Sequence, residues 1–124
     1  MKTLLKSSIL FMLCLIMTGK TFAHGNTEPQ HGGVIKVVGE YTFELVRQDK
    51  LTELYVTYED EEIDANAIHG IIKIKKSKEK QKIILQSGQK NRLFMNQTIS
   101  DGSTVLVMIT LADGFSKIVA KYKL

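Results

Sequence analysis

Two histidines near the N-terminus, His24 and His31, are the residues of this 124-residue chain whose types and spacing best suit chemistry. If residues 1–23 are removed during export, His24 carries a free α-amine beside its imidazole. These two nitrogens can chelate Cu(II) and also accept Zn(II) or Ni(II). His31 follows seven residues later and can reach the same ion, with Glu28 as an oxygen donor between them. We therefore predict a metal site at His24 and His31 that binds Cu or Zn; the alternative is a solvated arm without a ligand.

Other potential ligands are weaker on sequence grounds. His69 falls in a predicted strand and is interpreted as a surface or rim histidine. Met95 and Met108 could offer thioethers to Cu(I), but methionines in strands more often fill a core. Residues 59–64 place five carboxylates within six positions. This run could attract a hard cation, although it lacks the spacing and central glycine of an EF-hand loop, and a solvated turn explains it equally well.

Catalytic patterns are missing from the sequence. It contains no serine in a nucleophile-elbow context, no phosphate-cradling glycine loop and no HExxH motif. The single cysteine, Cys14, lies in the segment predicted to be removed. We therefore predict that the protein is not an enzyme.

The N-terminal segment has the layout of a secretory signal peptide. Lys2 and Lys6 precede an apolar run at residues 9–17, and Thr21-Phe22-Ala23 supplies small residues at the two positions that a signal peptidase reads. The run is about half the roughly 20 residues that a membrane-spanning helix needs. We predict a signal peptide at residues 1–23, a periplasmic location and no membrane insertion after cleavage. The alternatives are full secretion and an uncleaved N-terminal anchor.

The net charge of +4 is misleading for the predicted mature protein. The leader holds three lysines and no acid, so the remainder has fourteen Lys and Arg against thirteen Asp and Glu. A net charge near +1 gives little support to a nucleic-acid partner. Residues 73–82 nevertheless contain six lysines in ten positions. This run either serves solubility and edge protection or forms a docking patch for an acidic partner or anionic lipid head groups.

The elements that must position these residues are predicted to be strands. Residues 24–32 are polar and aperiodic, which indicates a flexible arm. From residue 33 onward, turn signals separate short runs rich in Val, Ile, Thr, Tyr and Phe. The fold class is therefore all-β: one antiparallel β-sandwich or barrel of about seven or eight strands, Ig-like or cupredoxin-like, over residues 33–124. The strands are predicted near residues 34–38, 41–47, 54–58, 68–75, 82–86, 92–96, 105–111 and 115–123.

Several short motifs occur in a fixed order along this domain. They are HGG at residues 31–33, GEYTFELV at residues 39–46, LYV at residues 54–56, an acidic turn at residues 58–64 and AIHG at residues 67–70. In this order the chain resembles small exported β-sandwich domains of Gram-negative bacteria that accompany heavy-metal efflux systems. Those domains occur free-standing or fused to the periplasmic adaptor subunits of cation-efflux pumps.

The resemblance implies a periplasmic role in handling Cu, Zn, Cd, Co or Ni, by binding the ion or by contacting a cation-efflux adaptor subunit. His31 and Glu44 match positions of the motif, whereas His24, His69 and the methionines do not. The acidic turn also departs from the Asp-x-Asp-Gly that such domains often have. A metal-independent protein-interaction module of the periplasm or the secreted fraction is the alternative function.

Overall fold

The computed structural model describes residues 28–124; the predicted leader and His24 lie outside them. Within this range the chain forms ten strands and one short 3₁₀ helix at Ala65–Ala67. The strands are β1 (Val34–Val38), β2 (Tyr41–Gln48), β3 (Leu51–Tyr58), β4 (Glu61–Glu62), β5 (His69–Lys76), β6 (Glu79–Ile84), β7 (Gln86–Ser87), β8 (Arg92–Met95), β9 (Thr104–Thr110) and β10 (Lys117–Lys123).

The strands form two antiparallel sheets that pack face to face. The first sheet has the order β1-β2-β3-β8-β7, with β4 paired to β3, and the second has the order β10-β9-β5-β6. The predicted all-β sandwich is therefore confirmed. The strand number exceeds the expected seven or eight because β4 and β7 have only two residues each, too few to produce a visible alternation in the sequence.

The core lies between the sheets and follows the alternation of side chains along the strands. In β2 and β3 the buried apolar residues Phe43, Leu45, Leu54 and Val56 point inward. From the second sheet, alternate residues of β5, β9 and β10 meet them: Ile72, Val105, Val107, Ile109, Ala120 and Tyr122. The Tyr122 hydroxyl donates a hydrogen bond to the Phe43 carbonyl oxygen at 3.1 Å, which ties β10 to β2 across the core.

The outer faces of the two sheets differ. On the first sheet, several polar side chains that alternate away from the core are themselves buried, namely Thr42, Glu44 and Glu53. Residues 28–33 cross over this face at Glu44 and Tyr55. On the second sheet, the outer residues are mostly exposed. Among residues 28–124, no helix is long and apolar enough to span a membrane.

Candidate functional site: a clamped histidine beside an acidic cleft

His31 is held against the outer face of the first sheet by the carboxylate of Glu44. Glu44 Oε2 accepts hydrogen bonds from the backbone N–H groups of His31 at 2.8 Å and Gly33 at 2.9 Å. Glu44 Oε1 accepts from the backbone N–H of Gln30 at 3.1 Å and lies 3.0 Å from Nδ1 of the His31 ring. We call this arrangement of Gln30, His31, Gly33 and Glu44 the carboxylate clamp.

The two glycines after His31 make the clamp possible. A positive φ of 73° at Gly32 turns the backbone so that the N–H groups on either side of it converge on one carboxylate oxygen. At Gly33 the chain passes so close to β2 that a Cβ atom would lie 2.4 Å from the Leu45 carbonyl oxygen. The HGG motif thus has a structural explanation, which is the docking of the N-terminal segment onto β2.

The clamp keeps the Glu44 carboxyl ionised, although the side chain is only 4% exposed. Burial by itself raises its pKa. The hydrogen bonds from the His31 ring and from the backbone of Gly33, His31 and Gln30 outweigh this effect, so the pKa of Glu44 lies below its ordinary value. Because an ionised carboxylate can only accept, the Nδ1 atom of His31 must carry the proton of their shared hydrogen bond.

The His31 ring also stacks on Tyr55. The two ring centroids lie 3.6 Å apart with an interplanar angle of 3°. Tyr55 is directly opposite Glu44 in the β2–β3 ladder, so the register places the stacking surface beside the clamp. Burial and a hydrogen bond to Glu53 raise the pKa of the Tyr55 hydroxyl, which donates to Glu53 Oε2 at 3.0 Å.

Glu53 extends the polar network away from the clamp. Its Oε2 atom also accepts from Nε of Arg92, and its Oε1 atom accepts from the Gln48 amide at 2.9 Å. The Arg92 guanidinium lies over the Phe94 ring, 4.4 Å from its centroid. The Tyr55 hydroxyl is held by Glu53, and the Tyr55 ring stacks on His31. Because Tyr55 is held in this way, its ring restricts rotation of the His31 imidazole.

A cleft of about 430 Å³ opens beside the clamp. It carries four carboxylates, those of Glu28, Glu44, Asp60 and Glu62, together with the His31 ring. Its other lining residues are Gln30, Ile35, Thr42, Tyr55, Thr57 and Asn91. The hydroxyl of Thr42 is buried and has no hydrogen-bond partner among the described residues. The cleft is thus polar, negatively charged and bordered by an oriented imidazole.

Of the two predicted metal ligands, the structure places only His31, since His24 lies outside residues 28–124. Within those residues, no group of three or more His, Cys, Asp or Glu side chains is arranged so that it could hold a metal ion. Two carboxylates of the acidic run, those of Asp60 and Glu62, line the cleft. The side chain of Asp64 instead accepts a hydrogen bond from the backbone N–H of Asn66, at the start of the 3₁₀ helix.

The weaker candidates are dispersed. His69 is exposed at the start of β5, in agreement with its interpretation as a surface histidine. Met95 is buried in the core, whereas Met108 alternates away from the core in β9, so their sulfur atoms face different sides of the molecule. The expectation that methionines fill the core therefore holds for Met95 only.

Sequence reasoning overlooked Tyr55 and Thr42 as site residues. The alternation in β3 assigns Tyr55 to the outer face, and its pairing with Glu44 follows once the β2–β3 hairpin register is known. Alternation likewise assigns Glu44 to the outer face, but nothing local shows that this face is covered. No protein family model, no curated protein sequence and no solved structure matches this chain.

Proposed function

We propose that this protein is an exported accessory protein of heavy-metal efflux or tolerance, which captures a transition-metal ion reversibly through His31. The observation that supports this proposal most is the hydrogen bond of 3.0 Å between Nδ1 of His31 and the buried Glu44 carboxylate. Histidines that bind metals almost always donate their second ring N–H to a carboxylate, a backbone carbonyl or water. The carboxylate clamp supplies such a partner.

In the neutral form of the His31 ring, a proton on Nδ1 leaves the lone pair of Nε2 for a metal ion. Stacking on Tyr55 fixes the plane of the ring, so little rotational entropy is lost on binding. The imidazole is 41% exposed and lines the cleft, so an ion from solvent can approach it. Copper(II) and zinc both accept imidazole ligands.

The cleft contributes electrostatic attraction rather than a preformed cage. Four carboxylates around one opening raise the local concentration of cations. Since one imidazole and distant carboxylates do not complete a coordination sphere, the ion needs at least one further strong ligand.

His24 is the proposed further ligand, through its imidazole and, after cleavage of the leader, its α-amine. The seven residue steps from His24 to His31 span at most about 25 Å when extended, so the chain length permits both histidines to bind one ion. Binding both histidines to one ion closes a loop of the chain, and the entropy cost of closing it keeps the affinity modest and the capture reversible. Because the ligands must be deprotonated, capture weakens in acid. The ion is cargo, and no catalytic step is proposed.

The test is a calorimetric titration of Cu(II), and separately Zn(II), into protein purified after export, whose N-terminus is established by mass spectrometry. We expect His24→Ala and His31→Ala each to weaken binding at least about tenfold, and Glu44→Gln to weaken it by removing the orienting carboxylate. His69→Ala is the matched control and should bind like the wild type, because His69 is an exposed histidine in the other sheet. Equal affinity of wild type and the His24→Ala/His31→Ala variant would exclude the proposed site.

A metal-independent interaction module is the second candidate function, and the exposed outer face of the second sheet favours it. In that case a partner, with a cation-efflux adaptor subunit as the first candidate, docks onto the sandwich without an ion. A pull-down from periplasmic extract, performed with and without a chelator, separates the two functions. Capture of the adaptor that is insensitive to the chelator supports the module, whereas capture that the chelator abolishes supports metal-dependent docking.

A further inference from the structure

We propose that the outer face of the β10-β9-β5-β6 sheet is a docking surface for an anionic lipid bilayer. In this arrangement lysines meet the phosphate groups of the lipid heads, and a neighbouring apolar row contacts the interface below them. The inference is independent of the proposed metal site, whose residue His31 lies on the other sheet. It rests on the strand register, on the charges that the register aligns and on the exposure of the apolar side chains.

The register places lysines in two adjacent rows across the sheet. One row joins Lys82, Lys73, Leu106 and Lys121 from four neighbouring strands, since Lys73 pairs with both Lys82 and Leu106, and Leu106 pairs with Lys121. The next row joins Lys80, Lys75, Thr104 and Lys123 in the same way. Six of the eight positions in these two rows are therefore lysines.

No carboxylate balances these charges on the same face. Alternation along the four strands gives fifteen outward residues: seven lysines, including Lys117, and none of Asp or Glu. We call these fifteen residues the lysine face. None of its lysines forms an ion pair with another residue of the range 28–124. The net charge near +1 thus conceals a one-sided distribution of charge.

The like-charge pairs are unfavourable for the fold itself. Lys73 is directly opposite Lys82, and Lys75 is directly opposite Lys80. Direct cross-strand pairs of like charge destabilise a sheet, whereas a Lys–Glu pair at the same positions would stabilise it. Solubility alone would be served equally well by a mixture of signs. A face that carries charges of one sign only indicates a partner of opposite charge.

Apolar residues adjoin the lysine rows and distinguish a bilayer from other polyanions. The next row joins Ile84, Ile71, Met108 and Val119, and in it Ile84 is 73% exposed. Beyond this row, the turn between β9 and β10 presents Phe115, which is 86% exposed. An acidic peptide or polysaccharide would neutralise the lysines but leave these apolar groups in water. The interface of a bilayer accommodates both, because lysine stems cover apolar surface while their ammonium groups reach the head groups.

Nucleic acid fits the lysine face less well. Recognition of single strands uses aromatic side chains on which bases stack, and none of the fifteen outward residues is Phe, Tyr or Trp.

The proposal is tested by co-sedimentation of the exported full-length mature protein with two kinds of vesicle. One kind consists of phosphatidylcholine alone, and the other also contains phosphatidylglycerol. We expect binding to the anionic vesicles only, with a decrease as salt is added, because the lysines are exposed to screening. Binding of equal strength to both kinds, or no binding to either, would overturn the proposal.

Two charge variants with the same net charge identify the face. Lys80→Glu/Lys82→Glu should weaken binding at least about tenfold, since it reverses two of the aligned charges. Lys36→Glu/Lys50→Glu carries the same change in net charge on β1 and the β2–β3 turn, and it should bind like the wild type. Equal loss in both variants would show that net charge, and not the lysine face, governs binding.

The unfolding midpoint of each variant distinguishes misfolding from loss of the docking surface. Lys80→Glu/Lys82→Glu places acids opposite Lys75 and Lys73, so its unfolding midpoint should equal or exceed that of the wild type at low salt. Ile84→Ser and Phe115→Ser test the apolar part and should each weaken binding to anionic vesicles without changing the midpoint. Tight binding to soluble polyglutamate, with no binding to vesicles, would assign the face to an acidic protein partner and overturn the lipid proposal.

Discussion

Glu44 shows how much one residue depends on its surroundings. Its carboxylate lies under the N-terminal segment and accepts four hydrogen bonds, three of them from backbone N–H groups. In the sequence it is one acid on the polar side of an amphipathic strand. In the structure it is the group that joins residues 30–33 to β2, and it determines which nitrogen of His31 carries the proton.

The first prediction concerns the pH dependence of stability. Glu44→Gln places an amide donor among N–H donors and should lower the free energy of unfolding by about 1–3 kcal/mol at neutral pH. Because the pKa of Glu44 is lower in the folded state, its contribution is complete above the ordinary value of 4.5 and is lost as the pH falls through the folded-state value. The difference between wild type and variant should therefore shrink in acid.

Urea unfolding at a series of pH values measures this difference. Glu61→Gln is the control, because Glu61 is exposed in β4, and its effect on stability should be small at every pH. If wild type and Glu44→Gln differ in free energy of unfolding by the same amount at neutral and acidic pH, the clamp does not depend on the charge of the carboxylate.

At the scale of elements, the two sheets are joined by packing and by one buried hydroxyl. Tyr122 is fully buried in β10, and its hydroxyl donates to the carbonyl oxygen of Phe43 in β2. Burial, followed by the charge of Glu44, raises the pKa of Tyr122 far above its ordinary value, so the hydroxyl keeps its proton. This bond crosses the core between elements that are far apart in the chain.

The second prediction is that Tyr122→Phe lowers the free energy of unfolding by about 1–2 kcal/mol, since the ring is retained and one buried hydrogen bond is lost. Tyr58→Phe is the matched control, because Tyr58 is 40% exposed and its ring contact with Tyr41 needs no hydroxyl. Chemical denaturation with an unchanged m-value measures the effect. Equal stability of the two variants would mean that the inter-sheet bond contributes nothing.

At the scale of the whole molecule, charge is segregated between the sheets. The lysine face lies on the second sheet, and four carboxylates surround the cleft on the first. Residues 28–124, with a net charge near +1, are thereby strongly polar. Long-range fields of this kind orient a protein as it approaches a charged surface.

The third prediction is that the lysine face, rather than net charge, controls retention on a cation exchanger at neutral pH. The wild type should be retained despite its small net charge, and Lys80→Glu/Lys82→Glu should elute at much lower salt. Lys36→Glu/Lys50→Glu has the same net charge and should elute later than that variant. Elution of the two variants at the same salt concentration would contradict the segregation of charge between the two sheets.

The sequence by itself determined the fold class and most strand positions, because alternation of apolar and polar residues is a local property with a period of two. It also identified His31 and the lysine run as unusual. It missed β4 and β7, which are too short for a period to be recognised, and their pairing depends on neighbours distant in the chain.

Only the tertiary structure decided which residues meet on each outer face. Pairing of β2 with β3 brings Tyr55 beside Glu44, and the turn at Gly32 and Gly33 brings His31 onto both. Likewise, Lys121 and Lys123 join the lysines of residues 73–82 only through the β5–β9–β10 ladder. These contacts join residues that are far apart in the chain, and a local pattern carries no information about such partners.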